Sequence, residues 1–222
     1  MGWFWILIFL SLYGCESAAP PADHSSFSES KTSFNWQKIN SRDVGDPLAR
    51  YPLYIAKVPS DWIRKDPSAT ESIIDTTKPL CEFLIKEGAD EGYITIYNFP
   101  TDHSEERIPP SAQIMRWKGQ FETLDPQLTA ISPEAHGGFV GLFLECQGIL
   151  KGQPTKLLGW AMQLAPEHYQ KLSSHQAFNI KQIRADYTIK AWGSPDLINK
   201  HRTDIITFAN SFELLDELPA LH

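Results

Sequence analysis

Every residue from Trp3 to Leu10 is apolar, and no charge interrupts the chain until Glu16. A bilayer crossing needs about 20 apolar residues, whereas about 7 to 15 suit the hydrophobic core of an export signal. The run therefore reads as an address rather than as part of a folded body, and any hydrophobic core must be built from residues downstream of it. The stretch Glu16-Ser17-Ala18-Ala19-Pro20-Pro21-Ala22-Asp23-His24-Ser25-Ser26 is poor in large apolar side chains and cannot collapse on its own. The chain divides accordingly into an address over 1–14, a flexible tether over 15–50, one globular domain over 51–217 and a short tail over 218–222.

The address ends in Leu12-Tyr13-Gly14-Cys15, which resembles the bacterial lipobox: an apolar residue, two usually small residues and a cysteine that receives lipid. The resemblance implies palmitate-type acylation of Cys15 and a protein anchored in the bacterial cell envelope, with the membrane as its first partner. Tyr13 is bulkier than the pattern's usual residue, so a plain cleaved secretory signal and an uncleaved anchor stand as alternatives. Myristoylation of Gly2 wants Ser or Thr at the sixth position, where Ile6 stands. The net charge of −7 opposes phosphate backbones, so nucleic acid is not an expected partner.

Within the domain, Tyr51 to Pro59 reads as extended chain, followed by a Ser60-Asp61 turn and by Trp62 as a lid on the core. Alternating Cys81, Phe83 and Ile85, then the aromatic and β-branched run Tyr93 to Phe99, form a hairpin about Gly88-Ala89-Asp90-Glu91-Gly92. Pro109, Pro110 and Ser111 open a helix whose Ile114, Trp117 and Phe121 make one apolar stripe, with Arg116, Lys118 and Gln120 on the other side. Strands follow at Gln127 to Ile131, Phe139 to Ile149 and Leu157 to Leu164, joined by turns at Ser132-Pro133-Glu134 and Lys151-Gly152-Gln153-Pro154. Pro166 to Phe178 fits either a short helix or an irregular insertion, and Ile183 to Trp192 is a last strand. A single closing helix begins at Ser194-Pro195 and aligns Leu197, Ile198, His201, Ile205, Phe208 and Phe212 on one face. The class is α+β, an antiparallel sheet covered by helices.

Several of these segments resemble the PsbP-like superfamily, which includes the extrinsic photosystem II subunit, a Ran-binding nuclear import factor and bacterial lipoproteins. The resemblance runs from about Tyr51 to Leu215 and is carried by Val58-Pro59-Ser60-Asp61-Trp62, by Ile114-Met115-Arg116-Trp117-Lys118-Gly119-Gln120-Phe121, by Tyr187-Thr188-Ile189-Lys190-Ala191-Trp192-Gly193, and by Phe208 to Phe212. It implies an αβα-like sandwich used mostly for docking onto another protein, and it carries over no particular ligand.

The 7 histidines lack the spacing of a zinc site and read as scattered surface residues. No nucleophile elbow, phosphate loop or dinucleotide fingerprint is present, so no catalytic residue and no cofactor are expected. Cys81 and Cys146 are either a disulfide formed in an oxidising envelope or buried free thiols. Arg116, Trp117 and Gln120 form either a partner-recognition patch or a packed helix face in which Arg116 meets a carboxylate. The leading expectation is a lipid-anchored, non-enzymatic binding or assembly module for a protein partner. A carrier of a lipid or other small apolar ligand is second, and a hydrolase third.

Overall fold

The computed structural model describes residues 32–40, 52–66, 78–99, 106–166 and 186–215. All lie within one compact unit, Thr32–His222. Cys15, the address, the first part of the tether, nearly all of the 166–178 segment and the tail 218–222 lie outside the described residues. No described helix is long and apolar enough to cross a membrane.

The strands are β1 (Phe34–Asn40), β2 (Pro52–Pro59), β3 (Ile63–Lys65), β4 (Cys81–Glu87), β5 (Asp90–Phe99), β6 (Thr123–Leu124), β7 (Ala130–His136), β8 (Phe139–Leu150), β9 (Gln153–Leu164), β10 (Asp186–Gly193) and β11 (Glu213–Leu214). The helices are α1 (Pro110–Lys118), α2 (Pro195–Lys200) and α3 (Arg202–Asn210). An antiparallel sheet of 8 strands runs β3-β4-β5-β10-β9-β8-β6, with β7 also on β8, and a 3-stranded sheet runs β1-β2-β11. The expected α+β class is the observed one, with helices on both faces of the large sheet.

Alternation assigns the two faces. Phe83 and Ile85 of β4, Ile94 and Ile96 of β5, Ile189 and Ala191 of β10 and Trp160 of β9 point into the main core. There they meet Tyr54, Ala56 and Val58 of β2, together with Ile205, Phe208 and Ala209 of α3. Trp62 closes this core as expected, its ring T-shaped against Phe208 at 5.4 Å. The opposite face, over β8 and β9, packs Leu144, Cys146, Leu157 and Ala161 against Ile114 and Trp117 of α1.

Four expectations are corrected. The tether was expected to run to residue 50, yet Phe34–Asn40 pairs along β2. Trp36 is 52% exposed and Asn35 is exposed as well, while Gln37 is half-buried and Ile39 fully buried. A strand with this pattern shows no amphipathic alternation to read, and tertiary pairing alone forms it. Second, Ser132-Pro133-Glu134 is not a turn but the middle of β7, the turn having moved to Gly137-Gly138, both at positive φ. Third, the closing helix breaks at His201, whose imidazole Nε2 meets Glu87 at 2.9 Å, and the chain resumes as α3 with the same apolar stripe on the core.

The fourth correction concerns the cysteines. Both are free and buried. Three strands, β5, β10 and β9, lie between β4 and β8, which at the usual strand spacing separates the backbones by roughly 19 Å, far beyond the roughly 7 Å a disulfide tolerates. They also belong to different clusters on opposite faces. Burial pushes the Cys81 thiol up to about 12 and Cys146 up to about 11, which makes both inert hydrophobes.

α3 is fastened to the sheet by charge. Arg202 Nη2 donates to Glu145 Oε2 at 2.7 Å and Nε donates to Oε1 at 3.1 Å, while Lys156 Nζ lies 2.7 Å from Oε1. The Arg202 hydrogen bonds, aided by Lys156, hold the Glu145 carboxyl down at about 2. A carboxylate depressed in the folded state stabilises fully above its unfolded value and loses that contribution as pH falls toward its folded one. Glu145→Gln is therefore expected to cost about 1–2 kcal/mol at pH 7, after allowance for partial exposure. In urea unfolding at successive pH values, the gap from the parent protein should shrink below pH 4.5 and vanish near pH 2.

Candidate functional site

The residues singled out from sequence lie on α1 and just beyond it. Pro110 at the first helical position needs no amide donor, and Arg116 and Lys118 occupy the last turn, where cations favour the carbonyl end of the helix dipole. Ile114 and Trp117 turn inward, 2% and 4% exposed. Trp117 is the seat of the helix. A Cβ built on Gly159 of β9 would lie 2.5 Å from the indole Cζ3, so the ring rests directly on bare backbone. Only glycine leaves room for so close an approach.

Trp117 is thus a packing residue, and the expected patch divides. Arg116 and Gln120 are exposed. The expected Arg116–carboxylate pair is absent among the described residues. Gln120 instead accepts a hydrogen bond at 2.7 Å from Nζ of Lys190, on the α1-facing side of β10. Sequence reading missed Lys190 as a neighbour of α1, because only the sheet order brings β10 beside the end of that helix.

Beyond α1 the same sheet face continues onto the outer strands β8 and β7, where it is uncovered among the described residues. Ile131 lies across from Leu144, Pro133 from Leu142 and Ala135 from Val140. Leu128, Ile131 and Val140 are each nearly half exposed, and Met115 on α1 is 64% exposed. No strand lies on the outer edge of β7 among the described residues. An exposed apolar strip on an open sheet edge suits a protein contact.

Some polar groups of the interior are paired, while Trp62 Nε1 and His136 Nδ1 are buried with no hydrogen-bond partner among the described residues. Asp186 accepts from Arg107 Nε at 2.9 Å and from the Leu164 amide at 3.1 Å, and Arg107 also donates to the Leu164 carbonyl at 3.0 Å. His136 Nε2 lies 2.9 Å from the Tyr187 hydroxyl, and burial holds the imidazole below its ordinary pKa. Burial likewise raises Tyr54 and Tyr187 well above the ordinary phenol. No group of three or more His, Cys, Asp or Glu side chains gathers to hold a metal among the described residues. Between Phe99, Ile108, Pro110 and Gln113 of one wall and β9 and β10 of the other is a recess of about 10 Å³, the volume of one water.

No protein-family model matches this chain, and no curated protein does. Solved structures do. The crystal structure of LpqN, involved in cell envelope biogenesis of Mycobacterium tuberculosis, superposes with a TM-score of 0.50 at 13% identity, covering 81% of this chain and 91% of that one. The solution structure of cyanobacterial PsbP (CyanoP) from Synechocystis gives a TM-score of 0.47 at 13% identity over 92% of this chain and 99% of its own. The chain has the sandwich fold that the PsbP-like resemblance implied.

Trp117→Ala should lower stability by about 3–5 kcal/mol. Gly159→Ala should cost about 1–3 kcal/mol by overpacking the same seat. Arg116→Ala, which removes no contact, should stay within about 0.5 kcal/mol of the parent in urea unfolding.

Proposed function

We propose that this protein is a bacterial envelope protein held at its membrane by a lipid on Cys15, and that its folded unit is a non-enzymatic docking module for a protein partner. The observation that carries the reading is the uncovered apolar strip of Leu128, Ile131 and Val140 beside the open edge of β7. Isolated apolar side chains on a surface need no explanation, but a contiguous strip at an unpaired strand is the usual mark of an interface. The envelope role of LpqN, a protein of the same fold, supports the setting.

A carrier of lipid would need a pocket of about 300–1,000 Å³, and the recess between α1 and the sheet, at about 10 Å³, is too small to be one. A hydrolase would need convergent polar groups open to substrate. Arg107 with Asp186 and His136 with Tyr187 are two separate pairs, and in each the buried partner, Asp186 or Tyr187, is already hydrogen-bonded within the protein. These points favour docking.

The anchor and the docking face are tested separately. In cells given an alkyne analogue of palmitate, the parent protein should become labelled and Cys15→Ser should not; a label that survives the substitution removes the anchor. A photo-crosslinking amino acid placed at Ile131 should capture one protein reproducibly, whereas the same probe at Lys57, on the opposite sheet, should not. Equal capture at both positions would dismiss the β7–β8 face as the docking surface.

A further inference from the structure

Around the carboxyl end of α1 the chain gathers cations without counterions. Arg116 and Lys118 come from the last turn of the helix, Lys151 from the β8–β9 turn and Lys190 from β10. They are close enough to act on one another: Arg116 and Lys151 both disfavour the charged form of Lys190, and Lys118 and Lys190 both act on the Cys146 thiol. Most other described cations are paired: Arg64, Lys65, Lys86, Arg107, Lys156, Lys200 and Arg202 each have a carboxylate partner, while Lys57 lies over the Trp36 ring. No carboxylate pairs with Arg116, Lys118, Lys151 or Lys190 among the described residues.

The acids on this face are already engaged. Glu82 meets Lys65, Glu91 meets Lys86 and the Tyr93 hydroxyl, and Glu122 accepts the Gly152 amide at 2.9 Å. Lys190 faces only the neutral Gln120 amide, the Cys146 thiol and the other cations, and its backbone carbonyl accepts from Thr95 at 3.4 Å. A half-buried ammonium with no counterion, in a chain of net charge −7, is costly to retain unless an anion visits it. Next to Arg116 on α1 stands Met115, the most exposed of the large apolar side chains among the described residues. Clustered cations flanking an exposed apolar side chain fit a membrane surface, where the cations meet phosphates and the apolar group enters the boundary with the acyl chains.

We propose that Arg116, Lys118, Lys151 and Lys190 form a binding site for the anionic headgroup of a membrane phospholipid, with Met115 dipping beside it. The proposal rests on the membrane-held reading only for setting, since the anchor supplies proximity and the site supplies orientation. The palmitate experiment reads the anchor and leaves this site untouched, so the two fail separately.

The test is the acetylation rate of Lys190, read by mass spectrometry on the full chain mixed with vesicles. Phosphatidylcholine vesicles serve as the neutral surface, and vesicles containing phosphatidylglycerol as the anionic one. Headgroup binding both covers the amine and favours its protonated form, so Lys190 should react about fivefold more slowly on the anionic vesicles, the effect expected of a single cation at such a surface. Lys57, exposed on the other sheet, should be unchanged. Arg116→Gln with Lys151→Gln, which removes exposed side chains and no hydrogen bond, should abolish the difference. Burial holds Lys190 down at about 8, so the protection should be full near neutral pH and fade as pH rises beyond 8 and the bare amine appears. Equal Lys190 rates on the two vesicles, slowing of Lys57 to the same extent, or protection that persists in the double variant would overturn the proposal. Equal slowing by inorganic phosphate on neutral vesicles would assign the site to a free anion instead and overturn the lipid assignment.

Discussion

The contact of the Trp117 indole with the bare backbone of Gly159 is what the outer face of this molecule depends on. α1 is short, lacks a side-chain N-cap and carries no acid in its first turn, so its own propensity is weak. It is held by burying Trp117 and Ile114 on β8 and β9. Because Trp117 lies so close, the helix axis is drawn down onto the sheet, and the residues one step around the helix, Met115, Arg116 and Lys118, are fixed toward solvent. The position of the cations is thus a consequence of packing on the opposite side of the same helix.

The distribution of charge follows a similar logic on the other face. There the helices α2 and α3 are tied to the strands by polar pairs: Arg202 meets Glu145 of β8, which Lys156 of β9 also approaches, and Lys200 and the His201 imidazole meet Glu87 at the end of β4. Such pairs contribute modestly each but fix where a helix sits. On the α1 face the helix is fixed by the apolar side chains Trp117 and Ile114, and its own cations Arg116 and Lys118 have no carboxylate partner among the described residues. The same net charge therefore yields one face that is electrostatically closed and another that is open.

How much of this could be read from residues depends on which force made each element. The strands of the large sheet were legible because Cys81, Phe83 and Ile85, and the dense runs of β5, β8 and β9, face a deep core, and burial writes itself into alternation. Trp62 as a lid and the stripe of α1 were legible for the same reason. β1 was not, since Trp36 lies outside and the residue before the buried Ile39 on its side of the strand is the polar Gln37. β7 was hidden behind Pro133, whose ring and missing amide read as a turn, although an edge strand accepts proline at a position facing away from its neighbour. The break at His201 left no trace because the apolar stripe continues through it. For the candidate site, Arg116 and Gln120 were visible as a motif. Lys190 was not, because its partnership with Gln120 depends on strand order, which no local pattern encodes.

Pro133 also bears on what kind of contact the open edge can make. An exposed strand edge with a full set of amides is a template for open-ended pairing, and chains that keep such an edge blunt it. Pro133 stands in the middle of β7 and removes a donor there, while Ile131 and Ala135 flank it on the same side of the sheet. A continuous ladder along β7 is therefore interrupted at its centre. What remains available is the side-chain surface formed with Val140 and Leu128, which favours a partner recognised by shape and apolar contact over one added as a further strand. That combination, an apolar strip kept and a ladder denied, leaves side-chain contact open while opposing the polymerisation of copies along the edge.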